Sequence, residues 1–122
     1  MFKDIKDFHE KFGLRRDEKP GPLNEELQDF RIKFLKEELQ EYIDSVNIND
    51  MHGAFDALID LVYVALGTAY LHGFQFDDGW ELVHAANMKK VRAERADESK
   101  RGTQYDIVKP EGWVAPDLSK LL

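Results

Sequence analysis

Apolar residues recur along this chain at helical rather than strand spacing. Phe2, Ile5, Phe8 and Phe12 return every three or four residues, and Gly13 follows as a natural C-cap, which predicts a short first helix. Leu14 to Pro22, with Arg15, Arg16, Pro20 and Gly21, reads as a loop. Asn24 is placed to cap a long second helix, with Glu25 and Glu26 favourably sited in its first turn and its end near Val46. Asn47 to Asp50 predict a turn. A third helix follows over about Met51 to Leu71, stopped near Gly73. Asp77 or Asp78 then caps a fourth, amphipathic helix with Trp80, Val83, Asn87 and Val91 on one face. From Ser99 onward Gly102, Pro110, Gly112 and Pro116 break the pattern into an irregular tail over about 99–122. No useful β-alternation, repeat or low-complexity run is visible. The expectation is a single all-α domain over 1–122, four-helix-bundle-like.

Acidic residues interrupt this pattern where it should be apolar. At about 100° per residue, Leu27, Phe30 and Phe34 form a stripe on the second helix that Glu38 and Glu41 continue, with Glu37 and Asp44 at its edge. A Glu-rich run is ordinarily a solvated face. The third helix is harder to read that way. Asp56 and Asp60 share a face one turn apart, Asp60 lies within Leu58-Ile59-Asp60-Leu61-Val62, and no further charged residue follows until Asp77. A helix apolar nearly all round is buried on most sides. An antiparallel hairpin of the two helices would bring Glu38 and Glu41 to face Asp56 and Asp60. Four converging carboxylates repel unless a hard cation joins them, and Mg²⁺ is the usual choice where phosphates complete its shell.

Composition narrows the partners. The chain has 122 residues, 43% of them hydrophobic, enough for a real core, yet a bundle this small gains from burial against a second subunit. A net charge of −7 argues against nucleic-acid binding. Phosphorylated small molecules remain open, since divalent cations bridge carboxylate to phosphate. The absence of cysteine excludes disulfide and thiolate chemistry and makes a reducing cytoplasm the default. Met1-Phe2-Lys3-Asp4 lacks a signal peptide's apolar run. The apolar stretch Leu61 to Tyr70 is about half the ~20 residues that span a bilayer, so no membrane partner is expected.

Glu37-Glu38-Leu39-Gln40-Glu41, followed by a helix bearing Asp56 and Asp60, resembles the EExxE…ExxD signature of the MazG-like and phosphoribosyl-ATP pyrophosphohydrolases. The segments Asp7-Phe8-His9-Glu10-Lys11-Phe12-Gly13, Ala86-Asn87-Met88-Lys89-Lys90-Val91 and Lys109-Pro110-Glu111-Gly112-Trp113 are similar to members of that group as well. The resemblance implies an all-α, homodimeric or homotetrameric enzyme that uses Mg²⁺, with Mn²⁺ as a substitute, to cleave a nucleoside triphosphate to monophosphate and pyrophosphate. It further implies Glu38, Glu41 and Asp60 as metal ligands, Asp56 as a fourth, and Glu37 with Glu38 as the catalytic pair, Glu37 orienting or deprotonating water. One departure stands out. The residue three before Asp60 is Ala57, not Glu, and the acid on offer is Asp56, one position earlier and one methylene shorter.

Charge changes sign towards the C-terminus. Between Lys89 and Lys109 seven basic residues meet four acidic ones, and Lys89 and Lys90 adjoin Asn87 on the inner face of the fourth helix. Lysines there suit phosphates, and they equally suit an ordinary helix C-terminus. Asn87 has the donor and acceptor to read a base or sugar, or to bond a neighbouring helix. His9, with Phe8, Phe12 and Trp80, is a candidate to sandwich a base, although aromatics at this spacing are commonly core. Gly67 permits a close approach, most simply by a helix of a partner subunit. The competing functions are phosphoribosyl-ATP hydrolysis, a di-iron protein and a non-catalytic binding module. The di-iron reading needs two Glu-x-x-His pairs, and only Glu81-x-x-His84 is present.

Overall fold

The computed structural model describes residues 1–14 and 19–122. The stretch of the predicted loop that holds Arg15 and Arg16 lies outside the described residues. The chain divides into two compact units, Met1–Phe76 with Leu122, and Asp77–Leu121. Among the described residues four helices account for most of the structure and strand is confined to two residue pairs, so the fold is all-α as expected.

The first unit is built from α1 (Phe2–Lys11), α2 (Glu25–Asn47) and α3 (Met51–Leu71). Their ends follow the local chemistry of the chain. Gly13, at φ +69°, takes the left-handed turn after α1, and the Leu14 N–H returns to the His9 carbonyl at 2.8 Å. The Leu27 N–H donates to the Asn24 side chain at 2.8 Å, and the Gly53 N–H donates to the Asp50 carboxylate at 2.9 Å, capping α2 and α3. Gly73, at φ +76°, ends α3 in a Schellman-type turn whose Phe74 N–H reaches the Ala69 carbonyl.

α3 is the central element, packing along α2 on one side and against α1 on another. Ile5, Leu66, Tyr70 and Leu71 form the apolar core, joined by Phe2, Leu23, Leu27 and Phe76. Small residues, Ala54, Ala57 and Gly67, are buried along α3. By length and apolarity alone α3 is a helix that could cross a bilayer. Asp56 and Asp60 lie within it, and it packs against α1 and α2, as the core helix of a folded domain does.

The stripe read on α2 is shifted by one residue. Phe30 is 54% exposed, and Arg31 takes the buried position between Leu27 and Phe34. Spacing alone does not choose between them, since Phe30 and Arg31 both fit three- and four-residue steps between Leu27 and Phe34; the bonds of Arg31 account for its burial. The Arg31 Nε–H donates to the Thr68 hydroxyl at 3.0 Å, its Nη2 donates to the Val64 carbonyl at 2.9 Å, and the guanidinium lies 5.3 Å from the Phe34 ring centre. Burial pushes the Arg31 pKa down.

The second unit begins within α4 (Phe76–Asn87). Asp77 and Asp78 occupy the first turn of this helix rather than its cap. Their charge still suits the helix dipole there. Val91 was expected on the α4 face, but the helix ends at Asn87 and Val91 enters a short strand. β1 (Val91–Arg92) pairs antiparallel with β2 (Ile107–Val108), Val91 opposite Val108 and Arg92 opposite Ile107. The tail is therefore ordered in part, by side-chain bonds that hydropathy does not display. Asp106 accepts the Ser99 hydroxyl at 2.6 Å, the Arg101 guanidinium at 2.8 Å and the Ile107 N–H at 2.9 Å. These bonds, that of Ser99 first, hold its carboxyl below the usual range. The Trp113 indole N–H donates to the Ala86 carbonyl at 2.7 Å, capping a carbonyl in the last turn of α4.

Candidate metal centre

Glu38 and Glu41 lie one turn apart on α2, and Asp60 lies on the facing side of α3. One carboxylate oxygen from each falls within 4.8 Å of the others. Glu38 is 7% exposed, Asp60 is half-buried and Glu41 is open to solvent. Among the described residues no Lys, Arg or His forms an ion pair with any of the three. Arg31, two turns from Glu38 on the same face, spends its bonds on Thr68 and Val64.

Unbalanced charge of this kind shows in the acidities. Burial is the main cause that raises the Glu38 pKa to about 7, followed by the Glu41 charge, a hydrogen bond to Glu41, and the charges of Asp60 and Glu37. Asp60 is raised by burial, then by Asp56 and Glu41. Glu38 Oε2 is buried without a hydrogen-bond partner. An orphaned, buried carboxylate oxygen facing two further carboxylates is a poor arrangement for folding alone. An all-oxygen set of this charge fits a hard divalent ion such as Mg²⁺ or Mn²⁺, and offers neither the sulfur nor the nitrogen that softer metals favour.

Of the four expected ligands, three are brought together. Asp56 is exposed and outside the trio, although its charge reaches Asp60. Ala57, where the signature has Glu, is 2% exposed and part of the packed face of α3. Glu37 stands exposed one residue before Glu38. His9 is fully buried; its Nδ1–H donates to the Ile5 carbonyl at 2.7 Å, and its ring packs on Tyr70 with centroids 4.7 Å apart. Gly67 is used within the chain, not by a partner subunit. A Cβ there would meet Arg31 Nη2 at 2.7 Å and His9 Cε1 at 3.1 Å. Asn87 and Lys89 are exposed in the second unit, and Lys90 is half-buried there. Sequence reasoning passed over Arg31, because Phe30 fits the three–four spacing between Leu27 and Phe34 equally well and is the apolar residue of the two.

Residues 5–87, about two thirds of the chain, match the family model for phosphoribosyl-ATP pyrophosphohydrolase. The chain belongs to that family, within the MazG-like all-α nucleoside-triphosphate pyrophosphohydrolases. None of the curated proteins compared matches it significantly. The matched span contains the whole carboxylate trio, and a pyrophosphohydrolase-type activity goes with the family.

The raised pKa values carry a signed consequence. Glu38 binds its proton more tightly in the folded state than in the unfolded chain. Its contribution to the stability of the metal-free protein is therefore greatest at low pH, and is lost as pH rises from the ordinary carboxylate range through about 7. Asp60 acts in the same direction. A divalent ion reverses this by matching the exposed charge, so its stabilising effect should grow between pH 5.5 and 8. At saturation the expected gain in Tm at pH 8 is roughly 5–10 °C. Thermal melts with Mg²⁺ and with EDTA across that range test it; a Mg²⁺ effect independent of pH contradicts it.

Proposed function

We propose that this protein is a Mg²⁺-dependent pyrophosphohydrolase that cleaves the α–β phosphoanhydride of a nucleoside or deoxynucleoside triphosphate, giving a monophosphate and pyrophosphate. The observation that carries the reading is the buried trio of Glu38, Glu41 and Asp60, with an unpartnered Glu38 oxygen, inside a pyrophosphohydrolase-family domain. These three would hold the ion, with Asp56 as a further ligand or a partner through water. Bound there, Mg²⁺ supplies charge neutralisation to the phosphates. Glu37, with Glu38 beside it, is the base for the attacking water. The water oxygen bonds to the α-phosphorus, the bond to the bridging oxygen breaks, pyrophosphate leaves with that electron pair, and the proton passes to the carboxylate. Asn87, Lys89 and Lys90 would serve the substrate, whereas His9, the fourth substrate contact expected, is buried against Tyr70 and Ile5. Family membership favours a cytoplasmic enzyme.

The test is pyrophosphate release from canonical and modified (deoxy)nucleoside triphosphates and phosphoribosyl-ATP, with Mg²⁺ and with EDTA. Metal-dependent formation of a monophosphate and pyrophosphate is expected. No turnover of any substrate by folded protein would leave a non-catalytic binding module. The second reading, hydrolysis of phosphoribosyl-ATP, is favoured by the description of the matching family itself. The substrate with the highest kcat/KM in the same panel decides between them.

A second copy of the chain is the partner we propose for the open side of α3. Phe55 (69% exposed), Leu58, Ile59, Val62 and Tyr63 line a groove of about 350 Å³ with Met1 and Leu66. These apolar side chains adjoin one another on one helix, a surface that a second copy could cover. Phe55→Glu with Ile59→Glu is expected to convert a dimer or tetramer to monomer in light scattering. Equal masses for parent and variant would remove the proposal.

A further inference from the structure

Residues beyond Asn87 fall outside the family match and gather positive charge in a protein whose net charge is −7. Within the second unit Lys90, Lys100 and Lys109 line one cavity of about 400 Å³, together with Arg101, Glu98 and Asp106. Both acids are already matched. Asp106 pairs with Arg101 at 2.8 Å and accepts the Ser99 hydroxyl. Glu98 lies 3.6 Å from the Arg95 guanidinium and accepts the Glu94 N–H. Among the described residues no carboxylate pairs with Lys90, Lys100 or Lys109. Three uncompensated ammonium groups therefore share one concave space.

Two of them are held in place. The Lys90 and Lys109 ammonium groups lie 5.0 and 5.1 Å from the centre of the Trp113 ring, whose orientation is fixed by its bond to the Ala86 carbonyl. Like charges gathered on one ring repel each other, and a multivalent anion between them removes that repulsion. Lys100 enters from the loop between β1 and β2, its sequence neighbours Ser99 and Arg101 both bonded to Asp106.

We propose that this cavity binds a chain of two or three phosphates, with Lys90, Lys100 and Lys109 as its ligands and Trp113 as the platform for two of them. Such an anion comes either from the substrate's own phosphates or from a separate pyrophosphate or triphosphate ligand. A nucleic-acid backbone is disfavoured by the acidic remainder of the molecule. The inference is independent of whether the carboxylate trio catalyses hydrolysis.

Trp113 itself reports the event. The chain has two tryptophans, so Trp80→Phe in the full-length protein leaves Trp113 as the single emitter. Titration with inorganic tripolyphosphate in EDTA is expected to give a saturable change in its fluorescence. Lys100→Gln and Lys109→Gln should each weaken binding about tenfold, and together about a hundredfold. Lys100 does not touch the ring, so its effect reports the anion and not the probe. No saturable change, a Lys100→Gln/Lys109→Gln protein that titrates like its parent, or a single-stranded oligonucleotide that outcompetes tripolyphosphate at equal phosphate concentration would each overturn the proposal. A raised KM in Lys100→Gln would support the site with the substrate as its source. An unchanged KM with weakened tripolyphosphate binding would support it with a separate anion. Asp60→Asn should lose turnover and keep the titration, which separates failure of this site from failure of the catalytic reading.

Discussion

Asp60→Asn is expected to reduce pyrophosphate release by at least about a thousandfold, while making the metal-free protein more resistant to heat at pH 8. The two halves share one cause. Metal-assisted charge stabilisation contributes several kcal/mol to such a reaction, and each 1.36 kcal/mol is about tenfold in rate. Asp60 is the only member of the trio contributed by α3, so its loss leaves the other two on a single helix face. Without metal the same carboxylate is a burden, since its charge helps to raise the Glu38 pKa to about 7 and its own pKa is raised by burial. Asparagine keeps nearly the same shape and removes the charge. Activity and stability thus move in opposite directions, and the Mg²⁺-induced rise in Tm should vanish. Parallel losses of both in activity assays and thermal melts would mark Asp60 as a structural residue instead.

Gly67→Ala and Arg31→Ala should each destabilise the protein, by about 1–3 and 2–4 kcal/mol respectively, lowering Tm by roughly 5–15 °C. Alanine is ordinarily better than glycine inside a helix by about 1 kcal/mol. At position 67 the added methyl would stand 2.7 Å from Arg31 Nη2, which is held by its bond to the Val64 carbonyl. Moving the guanidinium breaks that bond in a buried place. The decisive experiment is the double variant. Once Arg31 is alanine, most of the space beside position 67 is open, and Gly67→Ala should become neutral or mildly stabilising. Arg31→Met, which keeps the stem and discards the buried charge, should cost less than Arg31→Ala. Simple additivity of the two alanine substitutions in denaturant melts would exclude the clash.

Helix positions were legible because each end is marked by local chemistry, such as Asn24 and Asp50 at the starts of α2 and α3 and Gly73 after α3. The carboxylate trio was legible for a different reason. Glu38 and Asp60 break apolar stripes, and a broken stripe survives in one dimension. Arg31 breaks the same stripe, yet the exposed Phe30 beside it suggested an apolar register one residue off. Phe30 illustrates that an aromatic ring need not face the core, least of all on a chain with a broad open apolar side. The β1–β2 pair was illegible because two residues per strand carry no period, and its support comes from Asp106 bonding to Ser99, Arg101 and Ile107. Partition of the four acids was likewise beyond the wheel. Asp56 and Asp60 share a face by angle, but burial separates them, and only Asp60 reaches Glu38 and Glu41.

Ala57 carries a consequence for how this protein can change over generations. It is buried on the packed side of α3, at the position where the family signature has its additional acid. Converting this lineage to the common signature by one codon change would drive a carboxylate into a tightly packed contact. The residues opposite would first have to shrink. Asp56 carries an acid at the preceding position, exposed and off the buried face. Signature departures of this kind are inherited together with the helix packing around them, so Asp56 and Ala57 should vary as a pair among close relatives.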